Sequence, residues 1–282
     1  MKFVFRNATK AIVFIRLVSA DIVLGALSGS YFASVIFNIS LSIYFYFTLA
    51  AAVWVIYTAD HILDGLKIGV NQENEVYEFH KKHRIALLIV GSILSVITGF
   101  VVLFLLESKL IDFGLTTFAL ISLYLVFNQI SRKKNWFFPK ELVIAILYTW
   151  GIFGGAFIIE KSVNWFQLMA MINYFFLVLA NVFLFSFYNF DENRKDRFKI
   201  ISFQIGRKQT KHSIIALLVI AFCLSLIIGF ISSEWSISFI LMFMNFMFFI
   251  LIFFFAYFEN KIYLAFITDS VFWIPFLILF VS

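Results

Sequence analysis

The sequence predicts an all-α membrane protein with nine transmembrane helices. Of its 282 residues, 63% are hydrophobic, 41 are Phe and only 13% are charged. Soluble domains carry about 25% charged residues, so this chain has too few charges to cover a soluble surface. It also contains nine apolar runs of the length that crosses a hydrocarbon core, about 20 residues. We therefore expect one transmembrane domain over residues 1–282.

Short polar segments separate the nine apolar runs and set their limits. We predict transmembrane helices over residues 11–30, 40–60, 85–106, 112–130, 141–159, 164–188, 213–231, 238–258 and 262–281. The fifth run contains Gly151, Gly154 and Gly155. Small residues let membrane helices approach one another closely, so we assign these glycines a structural role.

Ionisable and amide side chains interrupt three of the apolar runs. Arg16 and Asp21 lie in the first run, and Asp269 lies in the last. Charged groups inside a bilayer are costly and usually line a cavity or pair with one another, so we expect a functional role for them. For Asn173 and Asn181 in the sixth run, hydrogen bonding between helices is the alternative.

Basic residues are distributed very unevenly between the two sides of the predicted bundle. Nineteen of the 22 Lys and Arg lie in five segments: 1–10, 61–84, 131–140, 189–212 and 259–261. The segments that alternate with these contain only Lys109 and Lys161. Basic segments remain in the cytoplasm, so we predict a cytoplasmic N-terminus and an external C-terminus. The net charge of +6 therefore indicates membrane topology and not nucleic-acid binding.

Two carboxylates stand at the end of the second apolar run, in the segment 57–64. Asp60 and Asp64 are four residues apart, so a helix places them on one face, one turn apart. Two negative charges this close are unfavourable unless a positive charge neutralises them. Mg²⁺ prefers carboxylate oxygens and keeps other positions open for water and phosphate. We therefore predict that this segment binds Mg²⁺.

The sixth apolar run ends in a similar segment, 188–197. Glu192 and Asp196 are four residues apart, with basic residues interleaved. By the predicted topology, both acidic segments lie on the cytoplasmic side of the membrane. We therefore expect the four carboxylates of the two segments to form one shared site.

Histidines follow the first acidic segment closely. A zinc site is one interpretation of the three histidines in this part of the chain, His61, His80 and His83. No Cys or close His pair completes the four ligands that structural zinc requires. A basic rim that attracts diphosphate or lipid headgroups is the favoured interpretation.

In its first acidic segment the chain resembles the UbiA-type intramembrane prenyltransferases. Members of that family have nine transmembrane helices, with aspartate-rich motifs at the cytoplasmic ends of helices 2 and 6. Their first motif reads Asn-x-x-x-Asp-x-x-x-Asp, and Asp60 and Asp64 match its two aspartates. Ile56 occupies the position of the Asn.

The second acidic segment carries the resemblance further. The family motif ends in Asp-x-x-x-Asp-Arg, and residues 192–197 match it with Glu in the first position. Asn189 occupies an earlier aspartate position, and residues 202–206 supply the small residue, apolar stretch and Gly that follow. The segment from Tyr124 to Gly151 is similar to the region of helices 4 and 5. The resemblance covers nearly the whole chain.

The resemblance implies a multi-pass protein of the cell membrane with a UbiA-like helix bundle and lipid as a partner. Its activity would be Mg²⁺-dependent transfer of an isoprenyl chain from an isoprenyl diphosphate to an aromatic or lipid acceptor. The catalytic and metal-binding residues would be Asp60, Asp64, Glu192 and Asp196. The substrate-binding residues would be Lys67, Arg132, Arg194, Arg197, Asn181, Tyr188 and Arg16.

Two other functions remain open at this point. A terpene cyclase of the same type would ionise the same substrate and quench the cation with the substrate's own double bonds. A non-enzymatic membrane protein would keep the fold with a weakened metal site, as Ile56 in place of Asn and Asn189 in place of Asp suggest. A transporter is disfavoured, because such proteins use broken helices at mid-membrane and the chain contains only Pro139 and Pro275.

Overall fold

A computed structural model describes the backbone of residues 2–66, 75–134, 136–160, 162–190, 201–254 and 261–280. Side-chain environments are described for these residues except 2–9, 132–134 and 261. The described residues form eleven α-helices and one 3₁₀ helix: α1 (Lys2–Leu17), α2 (Ala20–Ile36), α3 (Ile43–Gly65), α4 (Glu75–Lys82), α5 (Arg84–Leu105), α6 (Ser108–Lys134), α7 (Lys140–Ile159), α8 (Trp165–Tyr188), α9 (Ile201–Ser232), α10 (Trp235–Phe254), α11 (Lys261–Ser270) and a C-terminal 3₁₀ helix (Val271–Phe280).

The helices have the lengths and hydropathy of membrane spans. In the described part of the chain, eight helical segments are long and apolar enough to cross a bilayer, and the bent pair α1–α2 brings the number to nine. No β-strand occurs among the described residues. The prediction of an all-α membrane protein with nine spans is therefore confirmed.

The first span differs from the straight helix predicted over residues 11–30. Helices α1 and α2 meet at an angle of 74°, because Ser19 has left-handed backbone angles (φ 57°, ψ 24°). In a straight helix, Arg16 and Asp21 would point about 140° apart around the axis. The bend instead brings their side chains within hydrogen-bonding distance. This ion pair therefore stabilises a break in the helix at Ser19.

Helix α8 lies at the centre of the bundle, and α5 lies at its edge. The most apolar window of α8 is 56% buried, whereas that of α5 is 0% buried. The main core joins residues of α2, α7, α8, α9, α10, α11 and the 3₁₀ helix. A second, smaller cluster joins Phe45 of α3 to Leu110 and Phe113 of α6. Helix α5 therefore presents its apolar side chains to lipid.

Two of the three glycines in α7 allow rings from neighbouring helices to reach its backbone. A Cβ on Gly154 would lie 2.4 Å from the Phe113 ring, and one on Gly155 would lie 2.5 Å from the Phe45 ring. The prediction of close helix approach is confirmed at these two positions. A Cβ on Gly151 would meet no atom within 4 Å, so this glycine has a different environment.

Two predicted spans near the C-terminus have irregular backbones. Helix α9 begins at Ile201, earlier than predicted, and contains Gly206 with φ +82°. Other residues rarely adopt such an angle, which explains a glycine at this point of the second family motif. The last span changes from α-helix to 3₁₀ helix at Val271 and contains Pro275.

Candidate active site at the end of helix α3

The first acidic segment lies in the last turns of α3, as predicted. Ser42 begins this helix, because its side chain accepts a hydrogen bond from the Phe45 backbone N–H at 3.3 Å. Asp60 is half-buried, and Asp64 is only 6% exposed. The two carboxylates are one turn apart on one face of the helix, as their spacing predicts.

Helix α4 packs directly on the end of α3. A Cβ on Gly65 would lie 2.8 Å from the Tyr77 carbonyl oxygen, so only glycine allows the backbones to approach this closely. The ring centroids of His61 in α3 and His80 in α4 are 4.8 Å apart. These contacts hold α4 beside the two aspartates.

A cavity of about 220 Å³ lies beside Asp60. It is lined by residues of α3, α6 and α7, together with Ala26 of α2 and Leu106 between α5 and α6. Asp60 is the only charged residue among the described residues that line it. Ile56 also lines the cavity, so the residue that replaces the family Asn extends its apolar wall.

Three tyrosines and two glycines shape this cavity. Tyr57, Tyr124 and Tyr148 line it together with several Phe side chains. Gly114 and Gly151 also line it, and a Cβ on either would meet no atom within 4 Å. The sequence contains too many aromatic residues to single these out, because only packing decides which rings face a cavity.

Arg16 lies in a buried cluster of ionised and amide side chains. Its guanidinium donates to Asp21 Oδ2 at 2.7 Å and to Asp269 Oδ2. Asn181 Nδ2 donates to Asp269 Oδ1 at 3.2 Å. A buried charge is tolerated when it is paired and hydrogen-bonded, so these groups stabilise one another. Sequence reasoning identified each residue as unusual but not their association.

A second, smaller cavity adjoins this cluster. It has a volume of about 40 Å³, and Asn181 and Asp269 line it. Tyr57, Ile144 and Tyr148 line both this cavity and the larger one. The two cavities are therefore neighbours that share three lining residues.

Two other polar residues of α8 tie it to neighbouring helices. Asn173 Nδ2 donates to the Ala221 carbonyl at 2.8 Å and to Ser225 Oγ at 2.9 Å. This confirms the alternative of hydrogen bonding between helices for Asn173. Tyr188 Oη donates to the Leu251 carbonyl at 3.3 Å, so the predicted substrate-binding residue Tyr188 links α8 to α10.

Two histidines near the first acidic segment, His61 and His80, have side chains within hydrogen-bonding distance of neighbouring groups. His80 is fully buried, and its Nδ1 donates to the Val76 carbonyl at 2.8 Å. Burial lowers the pKa of His80 and outweighs the opposing effect of this bond. Nδ1 of His61 lies 3.3 Å from Ser19 Oγ. In the described part of the chain, no three His, Cys, Asp or Glu side chains could hold one metal ion.

Residues 191–197 of the second acidic segment lie outside the described residues. This applies to Glu192, Arg194, Asp196 and Arg197, and also to Lys67 and the side chain of Arg132. Their predicted roles therefore remain predictions. At the described start of the segment, the ring of Phe190 stacks on the ring of Phe203 in α9, with centroids 4.9 Å apart.

Glu141 fixes the start of α9, and sequence reasoning did not identify it. Glu141 is 1% exposed and accepts from the Ile201 N–H at 3.1 Å. It also accepts from the Ser202 N–H at 3.1 Å and from Ser202 Oγ at 2.7 Å. A carboxylate is favourable at a helix N-terminus, so α7 holds α9 where the chain leaves the second acidic segment. An acidic residue just after Pro139 was the available signal.

Comparisons with known proteins agree with this arrangement of helices. No protein-family model and no curated protein matches the chain. The apo structure of a UbiA homolog from Aeropyrum pernix K1 aligns with a TM-score of 0.62 and 14% identity, covering 92% of this chain and 98% of that chain. A UbiA homolog from Archaeoglobus fulgidus, bound to DMAPP and Mg²⁺, aligns with a TM-score of 0.58 and 14% identity, covering 95% and 99%.

These alignments span almost the full length of all three chains. At 14% identity they establish the fold, while the chemistry depends on the residues of the site. The chain therefore has the UbiA-type membrane fold, the fold that its two acidic segments predicted.

Proposed function

We propose that this protein transfers an isoprenyl chain from an isoprenyl diphosphate to an aromatic or lipid acceptor within the membrane. The observation that carries the proposal is the apolar cavity of about 220 Å³ with Asp60 as its charged lining residue. Such a cavity suits a hydrocarbon chain whose charged end lies beside Asp60. The fold shared with a UbiA homolog bound to DMAPP and Mg²⁺ supports this assignment.

The residues of α3 fit a magnesium site. Asp60 and Asp64 provide carboxylate oxygens, which Mg²⁺ prefers, from adjacent turns of one helix. The other two carboxylate ligands would be Glu192 and Asp196, which lie outside the described residues. When bound, Mg²⁺ would neutralise negative charge on the diphosphate. The basic residues that we assign to binding the diphosphate are Lys67, Arg132, Arg194 and Arg197.

The lining of the large cavity would bind and orient the prenyl chain. Its apolar side chains bury the hydrocarbon, and Ile56 contributes to this wall. The faces of Tyr57, Tyr124 and Tyr148 would attract the positive charge that develops on the allylic carbon. Excluding water from this space would protect the cation until the acceptor attacks.

The test is an assay on purified protein with Mg²⁺ and geranyl, farnesyl or geranylgeranyl diphosphate. We expect release of pyrophosphate, loss of that release with a chelator, and a product whose mass equals acceptor plus prenyl group when a membrane extract supplies the acceptor. A hydrocarbon or alcohol formed without acceptor would indicate a cyclase. Absence of release for every donor and extract would contradict both enzymatic functions.

A further inference from the structure

A run of basic side chains lies where α4 ends and α5 begins. Residues 81–84 read Lys-Lys-His-Arg, and all four are exposed. The two carboxylates of α4, Glu75 and Glu78, lie in its first turn, and no ion pair joins them to this run among the described residues. The lysines and the arginine therefore keep their positive charge available for an anion. Diphosphate and lipid headgroups are the two anions that such a run attracts.

The position of the run decides between these two anions. Among the described residues that line the two cavities, none belongs to α4, and Arg84 is not one of them either. Lys81 lies against α3, because a Cβ on Gly65 would be 3.6 Å from its Cβ. Lys82 and Arg84 are the two basic residues further along the chain, away from this contact. The structure therefore favours a lipid headgroup at Lys82 and Arg84.

The length of α5 places Arg84 at the surface of the membrane. Arg84 is the first of the 22 residues of this helix, which at 1.5 Å per residue is about 33 Å long. The hydrocarbon core of a bilayer is about 30 Å thick. A helix that just spans the core has its first residue at the boundary, where the phosphate groups of the lipids lie.

An exposed apolar stripe continues from the basic run along α5. Its residues are spaced by three or four positions and so lie on one face of the helix: Ile85, Ile89, Ile93 and Val96. Their exposed fractions lie between 56% and 74%, and none of the side chains of α5 is buried. An acyl chain can therefore lie along this stripe while its headgroup reaches Lys82 and Arg84.

The start of the span in α9 has a similar charge but no such stripe. Lys208 is exposed, and Lys211 Nζ lies 5.2 Å from the centroid of the Phe253 ring. The apolar side chains that follow these lysines, Ile214 and Ile215, belong to the main core. This segment therefore offers an anionic lipid a place for its headgroup but not for the adjoining acyl chain.

We propose that Lys82 and Arg84 bind the phosphate of an anionic phospholipid whose acyl chain lies along the exposed stripe of α5. Both side chains donate charge-assisted hydrogen bonds to phosphate oxygens, and a guanidinium can donate two at once. A zwitterionic lipid is held less tightly, because its headgroup carries a positive charge of its own. The site does not depend on the prenyl transfer proposed above.

The test is photo-crosslinking of the full chain in phosphatidylcholine bilayers. These contain a small fraction of phosphatidylglycerol with a diazirine in its acyl chain, and the labelled peptides are identified by mass spectrometry. We expect wild type to be labelled on α5 between Ile85 and Val96. Lys82→Gln/Arg84→Gln should reduce this labelling by about tenfold, because two of the charges that attract the headgroup are lost.

Three controls isolate the site from the general charge of the protein. Lys208→Gln/Lys211→Gln removes the same charge from the same side of the membrane, by the predicted topology, and should keep the labelling of α5. Lys82→Arg/Arg84→Lys keeps both charges and should also keep it. Phosphatidylcholine with the same diazirine should label α5 more weakly than the anionic lipid in wild type, and equally in all the variants.

Two results of the crosslinking would overturn the proposal. One is unchanged labelling in Lys82→Gln/Arg84→Gln. The other is an equal loss in Lys208→Gln/Lys211→Gln, because the overall positive charge of this side would then account for the lipid. Addition of pyrophosphate at constant ionic strength should leave the labelling of wild type unchanged. Loss of labelling with pyrophosphate would assign Lys82 and Arg84 to the diphosphate and would also overturn the proposal.

Discussion

Asp60 and Asp64 are one helical turn apart but have different surroundings. Asp60 lines the large cavity, whereas Asp64 is buried next to Gly65, where α4 contacts α3. Of these two carboxylates, Asp60 is therefore the one that the prenyl diphosphate of the proposed function would meet. Asp64 would contribute to the same proposed metal site from the side of α3 on which α4 packs.

Replacing Asp60 with Asn should lower the rate of pyrophosphate release by about 100-fold, because it removes a charged oxygen from the proposed metal site. Asp112→Asn is the control, since Asp112 is an exposed carboxylate in the first part of α6 and lies on the opposite side by the predicted topology. Both rates are measured with geranyl diphosphate and Mg²⁺. Equal rates in the two variants would place the metal elsewhere.

Arg16 should contribute to stability through the two carboxylates that it contacts. Arg16→Met leaves buried charges without a partner, which costs about 3–5 kcal/mol. We expect a lower unfolding temperature in detergent for this variant. Arg84→Met, at an exposed arginine, should change stability by less than about 0.5 kcal/mol. Similar unfolding temperatures for the two variants would show that the cluster does not hold the bend together.

At the level of elements, the short helix α4 depends on a glycine in α3. In Gly65→Ala, the added Cβ would lie 2.8 Å from the Tyr77 carbonyl oxygen, so α4 must shift. Overpacking of this kind costs about 1–3 kcal/mol. We expect faster hydrogen exchange of amides in α4. Gly99→Ala is the control, because its Cβ would meet no atom within 4 Å. Equally slow exchange of the α4 amides in both variants would contradict the prediction.

Helix α7 should influence which prenyl chain fits the large cavity. Gly151 lines this cavity, and a Cβ there would meet no atom within 4 Å. Gly151→Leu would fill part of the space and exclude longer chains. We expect the ratio of kcat/KM for geranylgeranyl over geranyl diphosphate to fall by about tenfold. Gly99→Leu in α5 should leave this ratio unchanged, and an unchanged ratio in Gly151→Leu would place the chain outside the cavity.

For the whole molecule, the distribution of basic residues predicts how the bundle lies in the membrane. Reporter fusions should show a cytoplasmic location after Gly69, Lys134 and Lys208. They should show an external location after Lys109, Lys161 and Ser282. A cytoplasmic location of the C-terminus would contradict nine spans.

The sequence by itself determined the membrane class, the helical fold and the first acidic segment. These features are local: an apolar run of about 20 residues predicts a span wherever it packs. The spacing of Asp60 and Asp64 places both on one face of any helix. The resemblance to UbiA-type proteins depended on the order of such local motifs, and the fold confirmed it.

Only the tertiary structure decided the bend at Ser19, the large cavity and the buried cluster. Arg16 and Asp269 are 253 residues apart, and hydropathy carries no information about which distant charges meet. The role of Glu141 likewise became clear through its bonds to the start of α9. Pairing between helices depends on how their side chains pack, and a periodic apolar pattern is compatible with many packings. The sequence therefore predicted where charged groups lie along each helix, and packing decided which of them meet.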